Sequence, residues 1–586
     1  MFKLLKKIKL REAILMFISV FFIVAQVYLD LKLPDYMSNI TTLVKTPGSE
    51  MSDILNEGKY MMLCAVGSLI ASIVVGFLAS FIGAGFAKTL RSELFNKVYS
   101  FGMEEIKKFS ISSLITRTTN DITRVQQIVA MGMQIAVKAP IMAVWAISKI
   151  IDKSIALSGL TAITIVLIVL VMGGLMALVI PKFKLIQQLT DDINGITREN
   201  LLGVRVIRAY NAEEYQTNKF EDVNKKITKT SKFTNRVMSI MWPLIDLATN
   251  GLTLAIYVVG AILLEQTAAA AKLDLFSNII VFSNYSMQVI ASFMMLTMIV
   301  IMYPRVSVSA NRILEVLETK PRVLDGKINK DNGVKGKIEF KNVYFRYPDS
   351  NSYSLEDISF TANKGETIAF IGATGCGKST LINLIPRFYD VTSGEILIDD
   401  INIKEYSKHY LYSKLGYVPQ KSVLFSGTVE ENVSWGEKDG EKPDREDVVD
   451  AIKIAQGEDF VLDMPEQYDS QIARGGENIS GGQKQRLQIA RAVARDPEFY
   501  IFDDSFSALD YKTDAVLRRE LRKNTKDSTS IIVAQRIGTI RYADKIIVLD
   551  NGKMVGMGKH NELLDNCPLY LEIAKSQLRE EELYNA

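Results

Sequence analysis

Nine consecutive residues, Gly372-Ala373-Thr374-Gly375-Cys376-Gly377-Lys378-Ser379-Thr380, have the types and spacing to hold a polyphosphate. They fit the pattern GxxxxGK[ST]. Glycines at these positions let successive backbone N–H groups turn inward around phosphate oxygens. Lys378 would reach the β- and γ-phosphates, and the Ser379 hydroxyl would ligate Mg²⁺. Thr367–Ile371 before the loop reads as a buried strand. Leu381–Ile385 after it reads as the first turns of a helix whose N-terminus faces the anion. A glycine-rich loop with another purpose would not need strand, loop and helix in this register.

Five further constellations flank the loop. Tyr347, just before Pro348, is an aromatic that could stack on adenine. Gln420 follows Gly416-Tyr417-Val418-Pro419 and could reach Mg²⁺ or water. Ile479-Ser480-Gly481-Gly482-Gln483 precedes a helical stretch, Lys484–Ala494. A serine and two glycines at a helix start make a second phosphate cradle. Tyr500-Ile501-Phe502-Asp503-Asp504 is an apolar strand ending in carboxylates, of which Asp503 would hold Mg²⁺. Ser507-Ala508-Leu509-Asp510 follows directly.

The elements that must position these residues occupy only part of the chain. At 586 residues it is too long for one core. Its mean hydropathy is positive although 23% of residues are charged, which fits a chain part membrane and part water-soluble. Net charge is +3, so no basic field points to nucleic acid. Cys64, Cys376 and Cys567 lie far apart, which argues against a disulfide framework or a zinc site. From Ile338 short strands give way to strand–helix alternation, the pattern of an α/β P-loop domain over 338–586. The polar stretch 319–337, with Pro321, Gly326, Gly333 and Gly336, is a linker.

The part before the linker, 1–318, holds six apolar segments, roughly 13–33, 60–86, 127–149, 155–180, 238–264 and 276–302. Each is long enough to cross a bilayer, which takes about 20 residues. An all-α six-helix transmembrane domain is expected. The basic stretch Met1–Arg11 precedes a long apolar run without a clear cleavage site, so the first segment reads as a retained span. Lys and Arg crowd the N-terminus and the loops 87–126 and 181–237. They are sparse in 34–59, 150–154 and 265–275. The positive-inside rule therefore puts both chain ends and the two long loops in the cytoplasm.

Those long loops read as helices running on into the cytosol. They are either solvated connectors or turns that dock on the nucleotide domain. Ionisable residues inside the spans are costly and usually functional. Lys138 either snorkels to the inner interface or serves the transport path. Asp246, beside Pro243, either lines a wet cavity or faces a polar neighbouring helix. Asn250, Asn284, Tyr285 and Gln288 are further polar candidates for a cavity face.

The P-loop, Gln420, Ile479–Gln483, the strand-end aspartates and Ser507–Asp510, in this order, resemble the nucleotide-binding domain of an ATP-binding cassette (ABC) transporter. Six preceding spans with two long cytoplasmic loops resemble the exporter type, in which one polypeptide is a half-transporter. The resemblance implies ATP and Mg²⁺ as cofactors and head-to-tail pairing of two such domains. Each ATP is then sandwiched between one P-loop and the other chain's signature, here Ile479, Ser480, Gly481, Gly482 and Gln483, with Asp510 in the loop that follows the carboxylates. It also implies that the loop ends near Lys107–Leu114 and Ala209–Phe220 act as coupling helices.

Two positions depart from that family's pattern. Where it usually has Glu after the metal-binding aspartate, this chain has Asp504. Where it usually has a His contacting the γ-phosphate, this chain has Gln535, and His409 and His560 belong to other segments. Lys378, Gln420, Asp504 and Gln535 are thus the expected catalytic set, the last two weakened. The combination resembles the degenerate-site half of heterodimeric bacterial multidrug exporters, which implies a different half-transporter as partner, a small amphipathic substrate and the plasma membrane. A homodimeric lipid or peptide exporter with two equal sites, and a nucleotide-gated channel or regulatory subunit, are the alternatives.

Overall fold

The structure is a computed structural model that describes residues 2–46, 48–151, 153–267, 272–438 and 440–584. Asp152, in the 150–154 loop between the third and fourth apolar segments, lies outside the described residues. The chain divides into two units, Met1–Lys97 with Ser112–Thr319, and Val98–Ile111 with Lys320–Ala586.

The first unit is helical. Its long helices are α1 (Leu10–Lys45), α2 (Met51–Tyr99), α4 (Ile122–Ile151), α5 (Ile155–Ala209), α6 (Glu213–Gln266) and α7 (Lys272–Glu318), and each contains a window apolar enough to span a membrane. Between α2 and α4 lie α3 (Met103–Phe109), a short helix Ile111–Thr116 and a π-helical turn Arg117–Asp121. The six expected spans thus lie within longer helices. Polar residues do not end a helix whose backbone bonds are all internal, so helices run on past the apolar segments.

Polar side chains pin the bundle. Arg117 donates to the Arg312 carbonyl at 2.6 Å and pairs with Glu315 at 2.8 Å, while Ser309 donates to Asp121 at 2.8 Å. Higher up, Lys138 pairs with Asp30 at 3.1 Å and Lys149 with Asp35 at 3.0 Å. The Tyr285 hydroxyl donates to Asp35 at 2.7 Å, and the Gln288 amide reaches the Asp30 carbonyl at 3.5 Å. The Lys138 ammonium is held within the bundle by a carboxylate of α1. Asn284 donates to the Ile280 carbonyl of its own helix.

The second unit is built on two large sheets, with a two-stranded ladder of Gly427–Thr428 and Gln471–Ile472 beside them. Strands β1 (Ile338–Phe345), β2 (Leu355–Ala362), β4 (Ser393–Ile398) and β5 (Ile401–Asn402) form an antiparallel sheet in the order β2-β1-β4-β5. Strands β3 (Thr367–Ile371), β6 (Leu415–Val418), β7 (Phe499–Asp503), β8 (Thr529–Val533), β9 (Lys545–Asp550) and β10 (Lys553–Gly558) form the other, in the order β10-β9-β3-β8-β7-β6. Its central strands are parallel and buried on both faces, hence their near-continuous apolar sequence. The helices used below are α8 (Lys378–Leu384), α9 (Gly481–Val493), α10 (Tyr511–Asn524) and α11 (Pro568–Gln577).

Val98–Ile111, expected within the first domain, groups with this second unit. Contacts of α3 explain it. The Glu105 carboxylate accepts from the Gly102 and Arg322 backbone N–H groups at 2.8 and 3.0 Å. The Lys107 ammonium sits 4.9 Å from the Tyr347 ring centre and 5.6 Å from that of Tyr389, a cation–π clamp. The hydrogen bond to Tyr389 raises the Lys107 pKa. Residues 320–337 are equally well anchored. Lys414, itself buried, holds Asp331 at 3.1 Å, Asp399 at 2.9 Å and Glu498 at 2.9 Å, which ties this stretch to the sheets.

Candidate functional site

The parallel register creates the site. Phe502 pairs with Ile532 and Asp503 with Val533 across β7 and β8, and Val533 pairs with Phe370 across β8 and β3. The residues just past each strand, Asp504, Gln535 and Gly372, therefore come together at the carboxyl edge, where open α/β sheets bind ligands.

The loop between β3 and α8 needs its glycines. Gly372 has φ +152°, and a Cβ there would lie 2.1 Å from the Leu549 carbonyl oxygen; at Gly377, φ +103°, it would lie 2.9 Å from that of Ser354. Any side chain at either position would close the cradle. Cys376 is buried, with its sulfur 3.6 Å from the Lys378 ammonium. That ammonium donates to the Gly372 and Ala373 carbonyls at 2.7 and 2.8 Å, so it is folded over the loop it would serve. Thr380 shares a 3.1 Å hydrogen bond with the Tyr347 hydroxyl. The half-buried Tyr347 ring meets Lys107 and stands edge-on to Phe345 and Tyr389.

The Ser379 hydroxyl donates to the Asp503 carboxylate at 3.0 Å. Burial pushes the Asp503 carboxyl above its ordinary range, against the lowering effect of that hydrogen bond. A hydroxyl and a desolvated carboxylate side by side are hard oxygen donors short of positive charge, which fits Mg²⁺. The glycine cradle fits the phosphates. ATP with Mg²⁺ therefore suits the residues present.

Asp504 is the convergence point. Its Oδ2 accepts from the Gln535 amide at 3.1 Å and the Gln420 amide at 3.4 Å. Its backbone adopts φ +49° and its N–H donates to the Val533 carbonyl at 2.9 Å, so a short side chain projects from a fixed backbone. Burial raises the Asp504 pKa, opposed by the Gln420 hydrogen bond and by Lys378 and Arg536.

The signature segment lies elsewhere on this unit. Ser480 caps α9, its hydroxyl accepting from Gln483 N–H at 3.3 Å while the Gln483 side chain accepts from Ser480 N–H at 2.8 Å, a capping box. Gly481 faces open space, and a Cβ on Gly482 would meet the Ala508 carbonyl at 3.3 Å. Ile479 packs on the apolar core beneath. Asp510 caps α10 by accepting from Thr513 N–H at 3.0 Å.

Two positioning residues escape sequence reasoning. The Gln577 side chain of α11 donates to the Gln535 carbonyl at 2.8 Å and accepts from Ile537 N–H at 2.8 Å, bracketing the Gln535 turn. The Gln485 side chain accepts from Ala508 N–H at 3.2 Å, linking α9 to the segment before Asp510. No motif marks either, because the pairing spans 42 residues in one case and 23 in the other.

With this geometry in place, comparisons with known proteins assign the family. The model described as ABC transporter transmembrane region matches residues 15–303, and the one described as ABC transporter matches 355–507. The chain is 38% identical over 522 residues to an uncharacterized ABC transporter ATP-binding protein of Mycobacterium bovis, covering 88% of this chain and 87% of the relative. It is 34% identical over 524 residues to the ABC transporter ATP-binding protein YfiB of Bacillus subtilis, covering 89% and 90%. Multidrug resistance protein 1 of Entamoeba histolytica is 43% identical over 272 residues, 46% of this chain and 21% of that protein. A bacterial Atm1-family ABC exporter solved with ATP bound matches with a TM-score of 0.79, covering 97% of this chain and 99% of that one; at 22% identity this likeness speaks for the fold. The chain belongs to the ABC transporter family, as a multi-pass membrane half-transporter of the exporter fold that carries its transmembrane region and its ATP-binding domain in one polypeptide.

Proposed function

We propose that this chain is one half of an ATP-driven exporter of small amphipathic molecules in the plasma membrane and that it pairs with a different half. Its own site binds ATP and hydrolyses it slowly, while Ile479–Gln483 completes the faster site on its partner. The observation that carries this reading is the single oxygen, Asp504 Oδ2, held by two neutral amides, Gln420 and Gln535.

A carboxylate at this place has to orient the attacking water and take its proton. Phosphoryl transfer depends on positioning and on charge placed against the transferring group. Asp504 is one methylene shorter than Glu. Gln535 offers a hydrogen bond where a histidine could offer a cation. Lys378 and the glycine N–H groups would hold the phosphates, and Ser379 and Asp503 would hold Mg²⁺, whose charge would offset that of the phosphates. Binding is thus supported while turnover is handicapped. The capping box at Ser480 holds the signature helix start in order, which suits a segment that serves a second chain's nucleotide. A few kcal/mol of differential ATP affinity between inward- and outward-facing states is enough to drive the switch.

The experiment compares the purified full chain with the chain co-purified with its partner half. The expected result is slow hydrolysis alone, brisk hydrolysis by the pair, and ATP retained on Lys378's side through many turnovers. Brisk hydrolysis by the chain alone would mean two equal sites. A pair that hydrolyses ATP yet conducts ions passively would overturn export.

A further inference from the structure

The charges within the membrane segments divide into partnered and unpartnered. Lys138 and Lys149 pair with Asp30 and Asp35. Lys32, close to the outer end of its span, lies 5.7 Å from the Tyr28 ring centre. Asp246 is exposed and makes neither a hydrogen bond nor an ion pair among the described residues. It sits about 12 Å inside the cytoplasmic start of its apolar segment at 1.5 Å per residue.

Its neighbours on α6 are not lipid-facing in character. At about 100° per residue, Trp242, Asn250, Thr253 and Tyr257 all fall within about 40° of Asp246 around the helix. Trp242 is 65% and Tyr257 47% exposed, and Asn250 is exposed with no hydrogen-bond partner among the described residues. Thr253 satisfies its hydroxyl on the Thr249 carbonyl. A separate exposed face, centred about 110° away, is purely apolar: Leu247, Leu254, Val258 and Ile262. Lipid can cover the second face. It cannot cover the first, because an unpaired carboxylate and a bare amide in hydrocarbon are costly. That face has to meet a wet path or a polar partner.

We propose that Asp246, flanked by Trp242, Asn250 and Tyr257, lines the translocation path and recognises the charged head of lipophilic organic cations. This rests on the export reading above and names the substrate class. The carboxylate supplies the counter-charge. The aromatic rings supply faces for a diffuse cation on the same stripe. Lys138, the other in-span candidate, is neutralised by Asp30 and cannot repel such a head.

The test uses two ions of the same shape and opposite charge, tetraphenylphosphonium and tetraphenylborate, binding to the full chain in lipid nanodiscs, with empty nanodiscs subtracted. Equilibrium binding does not depend on ATP turnover. The wild type is expected to prefer the cation. Asp246→Asn should lose at least tenfold in cation affinity with the anion unchanged, and Asp246→Glu should retain cation binding. Equal binding of both ions, binding of neither, or a wild-type cation affinity in Asp246→Asn overturns the proposal. So does a change in oligomeric state on Asp246→Asn, which would make the stripe a contact between subunits. Fast hydrolysis by the chain alone would instead sink the slow-site reading and leave this result standing.

Discussion

Lengthening one side chain tests the account of the nucleotide site most directly. Asp504→Glu, combined with Gln535→His, moves the carboxylate about 1.5 Å farther from its backbone, one carbon–carbon bond. That backbone is fixed at φ +49° and by the bond to Val533, so the added reach appears at the carboxylate rather than being absorbed by the loop. A misplacement near 1 Å at a reacting centre costs about a hundredfold, equivalent to about 2.7 kcal/mol of barrier. The double variant should therefore speed hydrolysis at this site by roughly a hundredfold. Part of the gain is offset, because the amide of Gln420 now donates to an oxygen that has moved. The assay is single-turnover hydrolysis in the complete pair, with the partner's own P-loop lysine replaced so that only this site reports. An unchanged rate would refute the argument from reach and place the deficiency in the signature the partner supplies.

Two further outcomes follow from the same geometry. Ser480→Arg removes the hydroxyl cap of α9 and puts a cation at the start of the signature helix, so the steady-state ATPase of the pair should fall at least tenfold while ATP binding at Lys378 persists; near-normal turnover would mean that Ile479–Gln483 does not serve the partner. The Tyr410 hydrogen bond and the Lys414 contacts hold the Asp331 carboxyl down at about 2 against an ordinary 3.8. A depressed folded-state value stabilises above the unfolded value and is lost as pH falls through the folded one. Thermal melting of Asp331→Asn against wild type should show a deficit at pH 6 that narrows as pH falls from about 4 towards about 2.

The sequence alone was sufficient for the local chemistry. A P-loop is a continuous segment whose glycines, lysine and serine act on one ligand, so GxxxxGK[ST] is readable without a fold. The six spans were readable for a similar reason: a lipid-facing helix must satisfy its own backbone and be apolar for about 20 residues. The substitutions at Asp504 and Gln535 were visible as letters. What they do to one another was not. Asp504 and Gln535 lie 31 residues apart and meet only because β7 and β8 pair in parallel register. The same holds for Ser379 and Asp503, 124 residues apart.

Tertiary structure alone decided the membrane charges. In the sequence Lys138 and Asp246 each carry two readings, snorkelling or the transport path for one and a wet cavity or a polar neighbouring helix for the other, and no local pattern ties either to Asp30. Packing α1 against α4 pairs Lys138 with Asp30 and leaves Asp246 with no cation among the described residues. It also decided that α3 rests on Tyr347 and Tyr389 through Lys107, and that Gln577 holds the Gln535 turn. Side-chain partners far apart in the chain carry no local pattern. Their pairing depends on which helices and strands become neighbours, and that is fixed by burial of the whole core rather than by any one segment.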